Sequence, residues 1–80
     1  MSQAILRLPA VKFASGLSRS TLYLRITQGL WTKPISLGGR AVGWPDGEIA
    51  TLNAARISGK SNGEIKELVA KLESDRKAVK

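Results

Sequence analysis

Gly16-Leu17-Ser18 leaves this chain little choice of local geometry. Glycine most readily takes the left-handed conformation that stops a helix, and serine is a preferred N-cap. One helix must therefore end and another begin within about three or four residues, the spacing of a helix-turn-helix. The incoming helix spans roughly Pro9 to Ala14. Pro9 suits the first helical position, where its missing N–H would be unpaired in any case. Val11 is the expected core residue, with Phe13 or Ala14 beside it. The outgoing helix spans roughly Arg19 to Gln28 and stops at Gly29. Leu17, just before the Ser18 cap, should pack on Leu22 as a hydrophobic staple, while Thr21 stands where a capping box would place an acid. Leu22 and Ile26, four apart, mark the buried stripe. Arg19, Ser20, Tyr23, Leu24 and Thr27 are left on the opposite or flanking faces.

Around this pair the remaining elements fall into order. Ile5-Leu6-Arg7-Leu8 alternates weakly and suits a short strand. Leu30 to Pro34 reads as an extended connection into a β-hairpin, with Ile35-Ser36-Leu37 and Ala41-Val42-Gly43-Trp44 flanking Gly38-Gly39-Arg40. Ile35 and Leu37 are expected inward with Val42 and Trp44, and Arg40 stands at the tip. Pro45-Asp46-Gly47-Glu48 opens a third helix whose inward residues are Ile49, Leu52 and either Ala55 or Arg56. Ser61-Asn62-Gly63-Glu64 is a complete capping box. It predicts a fourth helix over about 61–74 with Ile65, Leu68, Val69 and Leu72 as one apolar stripe. The expected fold is mainly α with a small β-hairpin. A domain over 1–57 precedes the amphipathic helix at 61–74, which packs on it or serves dimerisation, and a frayed tail occupies 75–80.

Charge is divided unevenly along the chain. Residues 1–45 carry Arg7, Lys12, Arg19, Arg25, Lys33 and Arg40 and no acid, whereas residues 46–80 hold 7 basic and 6 acidic side chains. An acid-free half that contains a helix with hydroxyl and arginine groups on its outward face suits a phosphate-bearing partner. Cysteine and histidine are both absent. Disulfides and zinc fingers are thereby excluded, no cofactor or metal is expected, and acid-base catalysis loses its commonest groups. All six acids lie at or beyond Asp46 and look like helix-surface and capping residues, so an enzyme is not expected. No run approaches the roughly 18 apolar residues of a membrane span. No membrane partner is therefore expected, and the chain should be cytoplasmic and associated with the nucleoid.

The order short strand, helix, turn, helix, hairpin, helix resembles a winged helix-turn-helix of the MerR and excisionase type. Closer still is a resemblance to the AlpA family of phage and prophage regulators. It rests on Arg7-Leu8-Pro9-Ala10-Val11, on Gly16-Leu17-Ser18-Arg19-Ser20-Thr21-Leu22-Tyr23, on Gly29 followed by an aromatic and Lys33-Pro34, and on Leu37-Gly38-Gly39-Arg40-Ala41-Val42-Gly43-Trp44. Trp31-Thr32 stands where the family usually has Phe-Pro, and Leu24 where it often has a basic residue. The resemblance implies a small double-stranded-DNA-binding transcriptional regulator, and an integrase or RNA polymerase as a further partner. The helix at 19–28 would enter the major groove, with the wing at 35–44 on flanking backbone or minor groove. The candidate contact residues are Ser18, Arg19, Ser20, Thr21, Tyr23, Thr27, Lys33 and Arg40. A module this small contacts few phosphates, which favours a homodimer or tandem binding. Two other outcomes fit the same residues: an excisionase that bends DNA beside an integrase, and an RNA-binding or protein-interaction module acting through the fourth helix.

Overall fold

Gly16, at φ 72°, separates the first two helices and closes the earlier one by donating its N–H to the Lys12 carbonyl. The computed structural model describes residues 4–78. In chain order these form β1 (Ile5–Leu6), α1 (Leu8–Ser15), α2 (Arg19–Thr27), β2 (Ile35–Gly38), β3 (Ala41–Pro45), α3 (Asp46–Ile57) and α4 (Asn62–Asp75). The arrangement is a winged helix-turn-helix: α1 and α2 are the paired helices, and β2 and β3 are the wing. β1 joins the wing at its root, giving a three-stranded antiparallel sheet in the order β1-β3-β2.

The core lies where α1, α2, α3 and α4 meet one face of this sheet. Val11, Leu22, Trp44, Leu52 and Ile65 are at most 1% exposed. Trp44 fills the centre, and its indole N–H donates to the Thr32 carbonyl at 2.9 Å. α1 begins one residue earlier than the sequence suggests, with Leu8 rather than Pro9 in the first position. Val11 is its buried residue, but Phe13 is 90% exposed and Ala14 is exposed too. A helix of eight residues presents one narrow stripe to the core, and Phe13, about 200° around from Val11, points away from it.

The wing's sidedness also differs from expectation. β1 and β2 both pair with β3, matching Leu6 with Trp44 and Ile35 with Gly43. Directly paired residues share a face, so Trp44 and Val42 point to the core while Ile35 and Gly43 point away from it. The register shifts between Ser36 and Gly38, and Leu37 is 42% exposed on the outer side. The inward pairing of Ile35 and Leu37 with Val42 and Trp44 is thus corrected by the register.

α3 buries Ile49, Leu52 and Ala55 and leaves Arg56 exposed. It also buries Glu48, at 5% exposure, against the expectation that every acid lies on the surface. Ser61 and Glu64 form the capping box of α4 in full, and α4 adds Ile65 and Val69 to the core. The tail expected to fray covers 75–80. Arg76–Ala78 form a single 3-10 turn, and the remainder of that expectation falls on Val79 and Lys80, outside the described residues.

Candidate nucleic-acid interface

The first turn of α2 is organised by one hydroxyl. Ser18 Oγ accepts from the Thr21 backbone N–H at 3.2 Å and donates to Thr21 Oγ1 at 3.0 Å. Ser18 therefore caps the helix, and Thr21, whose hydroxyl accepts from the cap, is half-buried. The first turn carries no acid, so its partial positive charge is left uncompensated and faces solvent.

Arg19 and Ser20 are exposed immediately beyond the cap. The Arg19 guanidinium carbon lies 5.6 Å from the centre of the Tyr23 ring, a cation-π distance. Tyr23 in turn meets Trp44 edge-on, with ring centres 6.5 Å apart and planes at 68°. Arg19, Ser20 and Tyr23 together line a shallow cleft of about 280 Å³. A cation normally free to sweep through solvent is thus stacked on an aromatic that is itself fixed to the core. Thr27 is exposed, and its hydroxyl donates back to the Tyr23 carbonyl at 3.1 Å.

Arg40 is exposed in the turn between β2 and β3, and Lys33 is exposed on the connection before β2. Neither lines the Arg19 cleft. Arg7 braces the wing instead of reaching outward: its Nε donates to the Val42 carbonyl at 3.0 Å. Trp31 and Trp44 are both buried, so neither indole presents a face for base stacking.

Three side chains that set the wing's approach escape a sequence reading focused on basic and hydroxyl groups. Arg76 donates from Nε and Nη2 to both carboxylate oxygens of Glu48, at 2.7 and 2.6 Å. The same Nη2 donates to the Lys33 carbonyl at 2.7 Å. Glu73 Oε2 accepts from the Lys33 N–H at 2.8 Å. The end of α4 therefore grips the backbone on both sides of Lys33, where the chain turns into the wing. One signal was legible: Glu48, Leu52 and Ala55 fall at i, i+4 and i+7, which puts the acid on the buried stripe.

Among the described residues no cluster of acidic side chains is placed to hold a metal ion, and no helix is long and apolar enough to cross a membrane. A family model described as the prophage CP4-57 regulatory protein (AlpA) matches residues 4–57. The chain is also 41% identical over 61 residues to ORF88, an uncharacterized protein of Enterobacteria phage P4. That alignment covers 76% of this chain and 69% of the relative. No solved structure matches the chain.

Proposed function

The chain belongs to the AlpA family of prophage regulatory proteins, and from that premise we propose that it binds double-stranded DNA sequence-specifically as a transcriptional regulator. The observation that carries this reading is Arg19, stacked on Tyr23 beside the acid-free opening turn of α2. A helix N-terminus offers unpaired N–H groups and positive potential to a phosphate, and a pre-oriented guanidinium beside it suits the two acceptors of a guanine edge. α2 enters the major groove with Arg19, Ser20 and Tyr23 leading. Ser18, Thr21 and Thr27 support its register and add hydroxyl contacts to the backbone. Arg40, on the wing, and Lys33, at its root, supply charge to the flanking backbone or a narrow minor groove.

The two arginines carry different kinds of recognition, and that difference is measurable. A duplex selected by the protein from a random library is titrated by fluorescence anisotropy over a range of salt. Arg19→Ala should cost about 1–3 kcal/mol and relax preference at one base position. Arg40→Ala should weaken all duplexes alike and reduce the salt slope by about 1. Wild-type binding to every duplex by both variants, or tighter binding to structured RNA than to duplex at matched salt, overturns the proposal.

A further inference from the structure

α2 has a second flank, on the side away from the wing. Tyr23 leans toward the wing through Trp44. Arg25, two residues on and about 200° around the helix, lies on the opposite side, where α3 passes. With Arg56 of α3 it lines two adjoining clefts. One, of about 350 Å³, includes Leu17, Trp31 and Asn53; the other, of about 300 Å³, includes Thr21, Gln28 and Asn62. Desolvation, and then the charge of Arg25, hold the Arg56 guanidinium below its usual pKa.

Among the described residues no ion pair answers this pair of charges. No carboxylate lines either cleft. Glu48 is committed to Arg76, Glu64 to Ser61 and Lys60, Glu73 to Lys33, and Asp75 to Lys71. Among the described residues Arg56 donates only to Asn62 Oδ1, at a long 3.4 Å. Three side-chain atoms are buried without a partner among the described residues, Arg25 Nε, Trp31 Nε1 and Thr32 Oγ1, and the first two belong to residues that line these clefts. Like charges held together beside orphaned donors are costly, and an anion relieves both defects at once. Lys66 extends the basic strip: its Cγ lies 3.7 Å from where a Cβ on Gly29 would stand, at the far end of α2.

We propose that the Arg25–Arg56 cleft binds a backbone phosphate of the DNA strand opposite the one met by the wing; this rests on the duplex-DNA reading above. A helix is about 10–12 Å across with its side chains and the major groove is about 12 Å wide, so the strands bounding the groove run along the two flanks of the helix. Thr21, Leu24 and Gln28 line the second of the two adjoining clefts together with Arg25 and Arg56, which makes that side continuous with the outward face of α2. Planar guanidinium groups match phosphate oxygens two at a time.

Two measurements test the assignment. Inorganic phosphate, compared with chloride at matched ionic strength, should raise the Tm of the wild-type protein, and Arg56→Gln should abolish that rise. If Arg56→Gln melts well below wild type in chloride, Arg25→Gln makes the same comparison. The absence of a selective rise in wild type overturns the site. In the second measurement, phosphates of a wild-type-selected duplex are replaced singly by neutral methylphosphonate. Wild type should lose about tenfold in affinity at one or two positions on one strand. Arg56→Gln should bind the unmodified duplex about tenfold more weakly, with a salt slope lower by about 1, and lose nothing further at those positions. Equal losses in both proteins at every position overturn the phosphate assignment, while Arg19-dependent binding leaves the DNA reading standing. A phosphate-dependent Tm with no binding to any duplex means that the anion is supplied by another molecule, such as a protein carboxylate, and both assignments to DNA fall.

Discussion

Glu48 and Arg76 form the most demanding pair in the molecule. The carboxylate is 5% exposed, and both of its oxygens are met by one guanidinium from beyond α4. Removing one partner of a buried pair strands the other, so Arg76→Met should destabilise the fold by about 3 kcal/mol. The double variant Glu48→Met with Arg76→Met should recover much of that loss in urea denaturation; equal stability of the two proteins would count against the pairing. Gly43 is constrained by space. A Cβ there would stand 2.5 Å from Ile5 Cγ2, 3.1 Å from the Leu6 carbonyl oxygen and 3.2 Å from Leu37 Cδ1. The two side-chain tips can yield, but the carbonyl belongs to the strand paired with β3. Gly43→Ala should therefore lower stability by about 1–2 kcal/mol, seen as an earlier denaturant midpoint at unchanged slope. The first pair was hard to read from sequence because its members are 28 residues apart. Gly43 was legible as a strand residue, but its crowding depends on the register with β1.

Elements whose cues are local could be read directly from the chain. Ser18 caps α2, and Ser61 and Glu64 close a capping box, as their three-residue spacings imply. The wing was harder because its register is set by pairing with β1, about 40 residues earlier, and by an irregularity that no dipeptide announces. The capping box also has a titration. The Ser61 backbone N–H, its hydroxyl and Lys60 hold the Glu64 carboxyl below its ordinary range. A carboxyl depressed in the folded state contributes stability above its unfolded pKa of about 4.3 and loses it as pH falls through the folded value. The share of the thermal midpoint that Glu64 supplies should thus be independent of pH near neutrality and decline in acid. Glu64→Gln should remove that share of the acid decline, and an identical acid profile in the variant would contradict the linkage. The basic flank at Arg25 shows the opposite limit. A helical wheel places Arg25 beside the core stripe, but only the path of α3 reveals Arg56 next to it.

At the scale of the whole molecule, the family match ends at residue 57 while the core does not. α4 contributes Ile65 and Val69 to the core, and the chain just beyond it grips the approach to the wing. Deleting residues 61–80 should leave a protein without a cooperative thermal transition, because it uncovers the core and strands Glu48 together. A sharp two-state melt near the wild-type midpoint would show α4 to be dispensable. The wing and α2 also meet through one residue, since Trp44 packs edge-to-face with Tyr23 and donates its N–H to the Thr32 carbonyl. Two jaws bolted to one ring make a caliper, and a caliper measures a single length. On the proposed DNA reading, one base pair inserted between the parts of a site met by α2 and by the wing moves the second contact about 3.4 Å along the duplex and rotates it out of phase. A hinge would follow that shift; a fixed gauge rejects the site.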